Sequence, residues 1–79
     1  MNVQPDKIKN RIAEVLNISK DKFNDDTTLK DLVSDSFLLV EMAIELQEDF
    51  EVRLTQEDLK MIVTIGDLIS LINDKKSRD

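Results

Sequence analysis

Apolar side chains recur every three or four residues along three stretches of this chain, a spacing typical of amphipathic α-helices. The apolar residues of the first stretch are Ile8, Ile12, Val15 and Leu16. Pro5 suits the first turn of a helix, Asp6 favours the positive end of the helix dipole, and Asn17 suits a helix end. The pattern therefore predicts a helix from Pro5 to Leu16.

The second stretch begins at Ser36, ends at Asp49 or Phe50, and carries apolar residues on two sides. One row is predicted to face the core and consists of Leu39, Ala43, Leu46 and Phe50. A second apolar row consists of Phe37, Val40 and Ile44. An acidic stripe beside it consists of Glu41, Glu45 and Glu48. Apolar rows on helices are usually core, but one row already anchors this helix. Two apolar rows beside an acidic stripe therefore suggest a second interpretation, a partly exposed patch rimmed by charge, which is a common design for protein recognition.

Residues 18–35, between these two helices, lack helical periodicity and are rich in turn and cap residues. Three apolar anchors pin this predicted loop to the core: Phe23, Leu29 and Leu32. After the second helix, Thr55 and Asp58 have the spacing of a capping box and start a short helix through about Met61. Thr64 and Asp67 repeat the spacing and start the last helix. The polar residues 74–79 are expected to fray.

These elements predict an all-α fold, a small four-helix bundle with three longer helices, a short third helix and a long first loop. A length of 79 residues leaves room for one domain. We therefore assign residues 1–79 to a single domain. The initial Met and the short polar ends favour a stand-alone protein over a domain of a larger protein.

Two absent residue types argue against an enzyme. The chain contains no Cys, which excludes disulfides and thiolate zinc sites, and no His, which removes the commonest general base and metal ligand. No stretch has the spacing of a calcium-binding loop. We therefore expect no catalytic residues and no metal site.

The net charge of −6 limits the partners that the chain can bind. An acidic surface repels nucleic acids and anionic membranes and suits partners that present Lys and Arg. No signal peptide precedes the first helix, and no apolar stretch approaches the roughly 20 residues that a membrane span needs. We expect a cytoplasmic monomer that neither binds nucleic acid nor inserts into a membrane.

Among the five serines, Ser36 stands where the loop becomes the second helix, directly after Asp35. The amide groups at a helix start attract anions, so a phosphate ester on Ser36 would lie in a favourable field. The more common role for Ser36 or Asp35 at such a place is a helix cap. With no His in the chain, Ser36 is a poor nucleophile by itself, but another enzyme could modify it.

The stretch from Leu32 to Phe37, with the helix that follows it through Phe50, resembles the phosphopantetheine site and second helix of acyl carrier proteins. The likeness extends over nearly the whole chain, including the first helix, the long loop, the short third helix and residues 62–67. The Asp35-Ser36 pair alone is a weak signal. The following helix, the acidic stripe, the chain length and the low isoelectric point make the match strong.

The resemblance implies that Ser36 carries 4′-phosphopantetheine, transferred from coenzyme A by a phosphopantetheinyl transferase that uses magnesium, with Asp35 assisting. The arm would hold an acyl group as a thioester and present it to enzymes of fatty-acid, polyketide or related biosynthesis. The surface that meets the basic docking surfaces of these enzymes would consist of Phe37, Val40, Glu41, Ile44 and Glu48. Candidates to line a pocket for the acyl chain are Leu46, Ile62 and Leu68, although such residues are more often plain core.

The sequence leaves two alternatives open. The Asp35-Ser36-Phe37 form of the motif is similar to D-alanyl carrier proteins and to stand-alone carriers of secondary metabolism, so the cargo could be an aminoacyl group. A function of another class is an unmodified helical module that docks a basic partner through the second apolar row and the acidic stripe. Such a module would work without Ser36.

Overall fold

A computed structural model describes residues 3–78, and helices dominate this part of the chain. Five α-helices and one short 3₁₀ turn follow in the order α1 Pro5–Leu16, the turn Lys20–Lys22, α2 Leu29–Leu32, α3 Ser36–Phe50, α4 Gln56–Met61 and α5 Ile65–Arg78. The only extended pairing within residues 3–78 is an isolated bridge between Thr28 and Thr64. The predicted all-α fold is confirmed. None of the helices in these residues is long and apolar enough to cross a membrane.

The ends of α1 and α3 lie where the sequence predicts them. Pro5 starts α1, and Asn17 ends it in the left-handed conformation with φ of 56°. Glu51 ends α3 in the same conformation, with φ of 54°. The Gln47 side chain then accepts a hydrogen bond of 2.7 Å from the Leu54 amide, which ties the turn after α3 back to the helix.

The core is formed where α1, α3 and α5 meet. Its largest fully buried side chains are Ile8, Ile12, Met42, Leu46, Ile65, Leu68 and Ile72. The predicted inner row of α3 is rotated slightly in the structure. Ala43 and Leu46 are buried as predicted, but Leu39 and Phe50 are only half-buried, and Met42 is fully buried in their place. Leu39 and Phe50 lie toward the two ends of α3 and pack against the edge of the core.

The long loop is held to the start of α5 by three backbone hydrogen bonds, which we call the loop clamp. The amide of Leu29 donates to Val63 at 2.8 Å, that of Ile65 to Thr27 at 2.9 Å, and that of Gly66 to Asp25 at 2.9 Å. A side chain at Gly66 would place its Cβ 3.1 Å from the Asp25 carbonyl oxygen, closer than most such contacts.

The loop contains more structure than its sequence predicts. The 3₁₀ turn and α2 both lie in it, and the Thr28 hydroxyl caps α2 by accepting a hydrogen bond from the Asp31 amide. The three predicted anchors do reach the core, since Phe23 and Leu29 are buried and Leu32 packs against them half-buried.

An ion pair joins the last two helices through a residue of the capping box that starts α4. Thr55 and Asp58 form the predicted box at the start of α4, each side chain accepting from the other residue's amide at 3.1 Å. Lys75 of α5 lies 2.8 Å from the same carboxylate. The structure differs from the expectation of a frayed tail, because α5 continues as a helix through Arg78. Asp79 lies outside the described residues.

The Asp58 carboxylate makes part of the stability depend on pH. The hydrogen bond from Lys75, followed by that from the Thr55 amide, lowers the pKa of Asp58 from 3.8 to about 2. A carboxylate whose pKa is lower in the folded state stabilises the fold above its ordinary pKa, and this contribution is lost as the pH falls toward the folded pKa.

We predict that Asp58→Asn lowers the free energy of unfolding at pH 7 by about 1 kcal/mol, because it removes an ion pair and weakens a cap. The difference from wild type should shrink between pH 4 and pH 2. Urea unfolding followed by circular dichroism at several pH values measures both effects. Asp26→Asn is the control, since Asp26 is exposed and forms no ion pair within residues 3–78. A difference that stays constant down to pH 2 would contradict this role for Asp58.

Candidate functional site

The junction between α2 and α3 places the Ser36 side chain in solvent. Val33 is buried directly after α2, and its amide donates to the Leu29 carbonyl at 2.7 Å. Two residues later, Asp35 caps α3, with its Oδ1 accepting from the Phe37 amide at 2.9 Å. The capping role thus falls to Asp35. The Ser36 hydroxyl is exposed and makes no hydrogen bond to residues 3–78.

The environment of Ser36 suits a phosphate ester. The first amide groups of a helix have no partner within the helix, and the Asp35 side chain accepts only from that of Phe37. The helix dipole adds a positive field at the same place, which stabilises an anion. No group of acidic residues within the described part of the chain could hold a metal ion. The exposed hydroxyl and the unpaired amide groups at this helix start therefore fit a covalent phosphate ester.

The second apolar row is exposed, as the sequence predicts. Phe37 is 81% exposed, Val40 46% and Ile44 45%, and all three lie on the side of α3 away from the core. The sequence did not single out Met61 and Val63, which are 81% and 59% exposed at and just after the end of α4. A helix of six residues has too few turns to bury all of its apolar side chains. The short predicted length of α4 is therefore the sequence signal that could have indicated an exposed Met61.

The acids of the acidic stripe differ in their partners. Arg11 of α1 contacts Asp49 and lies 2.8 Å from Glu45 and 3.1 Å from Glu14. Its hydrogen bond to Asp49 is the main reason that the pKa of Arg11 is raised. Glu45 is therefore occupied between α1 and α3. Glu41 and Glu48 are exposed and form no ion pair within the described residues, so they remain available to a basic partner.

A groove of about 670 Å³ opens between the end of the loop, α3 and α4. Its apolar lining consists of Leu29, Val33, Leu39, Leu59, Ile62 and Val63. Of the three predicted pocket residues, only Ile62 lines it. Leu46 and Leu68 are fully buried in the core and do not reach the groove. Ser36 itself does not line the groove, but Val33 and Leu39, three residues before and after it in the chain, both do.

The sequence is similar to those of known carrier proteins. The family model described as "Phosphopantetheine attachment site" matches residues 6–72, which include Asp35, Ser36 and the whole of α3. The acyl carrier protein of Buchnera aphidicola subsp. Schizaphis graminum is 34% identical over 79 residues, which cover 99% of this chain and 100% of that protein.

We predict that the second apolar row contributes little to folding. Phe37→Ala should change the free energy of unfolding by less than about 0.5 kcal/mol, because the ring is already in water. Leu46→Ala, on the opposite side of the same helix, should cost about 2–5 kcal/mol, because it leaves a cavity in the core. Urea unfolding of both variants beside wild type compares them. A Phe37→Ala variant that loses as much stability as Leu46→Ala would show that the ring packs against the fold.

Proposed function

The chain belongs to the acyl carrier protein family, and on this premise we propose that Ser36 carries its arm, a covalent 4′-phosphopantetheine. The family's model describes an attachment site for this group, which is the cofactor of the chain. The observation that supports Ser36 is its exposed hydroxyl, which makes no hydrogen bond within residues 3–78, at the start of a helix that Asp35 caps. When bound, the arm supplies a thiol that holds an acyl group as a thioester.

The modification needs groups that this chain lacks. The Ser36 Oγ must lose its proton to attack a phosphate, and with no His or Cys the chain has no base that is poised near neutral pH. We propose that a phosphopantetheinyl transferase supplies the base and the metal ion. Asp35 assists by fixing the start of α3, which holds the Ser36 hydroxyl toward the partner.

We propose that partner enzymes dock on α3 next to the arm. Phe37, Val40 and Ile44 would provide the apolar centre of this surface, and Glu41 and Glu48 would provide charges that attract Lys and Arg. This arrangement matches the exposure of all five residues. The arm would keep its cargo at high effective concentration near each docked active site.

The cargo that we propose is an acyl intermediate of fatty-acid, polyketide or related biosynthesis. The apolar groove beside Ser36 supports an acyl rather than an aminoacyl group, because it offers Leu59 and Ile62 as a lining for a hydrocarbon chain. Leu46 and Leu68 lie in the core and do not line the groove, so they would affect its shape only indirectly. We propose a single domain over residues 1–79 that works as a cytoplasmic monomer and leaves catalysis to its partners.

We predict that wild-type protein gains one phosphopantetheine group when it is incubated with coenzyme A, magnesium and a broad-specificity phosphopantetheinyl transferase. Ser36→Ala should gain none, because the accepting oxygen is gone. Ser34→Ala is the matched control: Ser34 is also exposed and lies two residues away, and this variant should be modified like wild type. Intact-mass spectrometry reads out all three proteins.

Two outcomes would contradict the proposal. If Ser36→Ala gains the arm and Ser34→Ala does not, the attachment residue is wrong. If wild type gains no mass while the same transferase modifies another carrier protein, the chain does not carry the arm. Docking through α3 without modification would then be the better account.

A further inference from the structure

The groove beside Ser36 is lined by apolar residues and by two lysines. Lys30 belongs to α2 and Lys60 to α4, so the lysines come from two different walls. Both residues are exposed. Lysine side chains commonly lay their methylene groups along apolar surface while the ammonium group stays in water. A cargo in the groove would thus contact hydrocarbon along its length and could meet ammonium groups at its end.

These lysines are free to bind a ligand. Neither Lys30 nor Lys60 takes part in an ion pair with the described residues. The only acidic residue in the groove lining is Asp31, so two positive charges face one negative charge and the lining carries a net +1. The whole chain carries −6. The sign of the charge is therefore reversed where a cargo would lie.

We propose that the groove favours acyl cargo with a negatively charged distal end, such as a carboxylate, through Lys30 and Lys60. The inference rests on the proposed arm at Ser36, because the arm brings the cargo to the groove. A methyl-ended chain would use the apolar lining alone. A carboxylate-ended chain of the same length would use the lining and also attract the two ammonium groups. A cationic aminoacyl end would be repelled.

The size of the groove is compatible with this role. Its volume of about 670 Å³ lies within the usual range for sites that hold small organic molecules. Pairs between charges near the surface are weak, and each changes an equilibrium roughly 1.5- to 5-fold. The lysines would thus bias the choice of cargo without trapping it, as a carrier that must release its cargo requires.

The test compares two eight-carbon cargoes that differ only at the distal end. The transferase loads Ser36 from octanoyl-coenzyme A or from the coenzyme A thioester of octanedioic acid, and intact mass confirms loading. The rate of thioester cleavage by hydroxylamine, a neutral reagent at pH 7, then measures how well each cargo is sheltered, relative to the same thioester on coenzyme A. We define protection as the cleavage rate of the thioester on coenzyme A divided by that of the same thioester on the protein. The quantity of interest is the protection of the carboxylate-ended cargo divided by that of the methyl-ended cargo.

We predict that the double variant Lys30→Met/Lys60→Met lowers this ratio about fivefold, because two weak ion pairs are lost while the apolar stems are kept. Asp31→Asn should raise the ratio, since it removes the opposing charge. Lys7→Met is the control: Lys7 is an exposed lysine of α1 that does not line the groove, and its ratio should match wild type. One molar NaCl should lower the wild-type ratio toward that of the double variant.

An unchanged ratio in the double variant would overturn the inference. This includes the case in which both cargoes lose protection equally, which would mean that the lysines hold the phosphate of the arm or the shape of the groove. The double variant could also fail to fold, which circular dichroism would show. Lys30→Gln/Lys60→Gln then replaces it, and an unchanged ratio in that variant also overturns the inference.

A wild type that takes up neither cargo would refute the arm at Ser36 and this inference together, and the mass spectrum separates that case from the others.

Discussion

The loop clamp is the constraint on which the arrangement of this protein depends. Ordering a long loop costs conformational entropy, which a small core offsets only in part. Three backbone hydrogen bonds from residues 25–29 to residues 63–66 satisfy the loop's polar groups, while Phe23 and Leu29 bury its apolar ones. The clamp fixes α2, and α2 in turn fixes the junction at Asp35 and Ser36. The same contacts bring α2 and the end of α4 to the two sides of the groove.

Helix α3 links this scaffold to function because its two sides have different roles. Met42, Ala43 and Leu46 bury one side in the core, whereas the second apolar row remains in water. Exposed apolar side chains next to unpaired acids are costly for a single folded chain and useful for a transient partner. Arg11 limits the electrostatic cost by contacting Glu45 and Asp49, two acids of α3. The proposed attachment residue, the proposed docking residues and the core anchor thus lie on a single helix.

The features that the sequence predicts well are those with strong local signals. The bounds of α1 and α3 follow from apolar spacing and from end residues, and the capping box at Thr55 and Asp58 follows from its spacing. The exposure of Phe37 follows from counting more apolar rows than one helix can bury. The proposal of Ser36 as the attachment residue depends on the resemblance to a family, because a serine after an aspartate at a helix start is by itself only a common cap.

The features that the sequence does not predict depend on contacts between distant residues. The four residues of α2 are too few for a periodic pattern. The continuation of α5 through Arg78 accompanies the ion pair of Lys75 with Asp58, which lies 17 residues earlier in the chain. Most of the groove lining was not predicted because Leu39 and Leu59 are half-buried, and apolar spacing alone does not distinguish such positions from buried ones.

The most direct test of this account is to locate the arm on the chain. Trypsin should release the peptide of residues 31–53 from phosphopantetheine-loaded protein, since this stretch ends at Arg53, follows Lys30 and contains no other Lys or Arg. Fragmentation of this peptide in a mass spectrometer distinguishes Ser34 from Ser36. The account predicts that the whole added mass lies on Ser36. An arm on Ser34, or on a serine outside this peptide, would contradict the claim that the Asp35 cap presents Ser36 for modification.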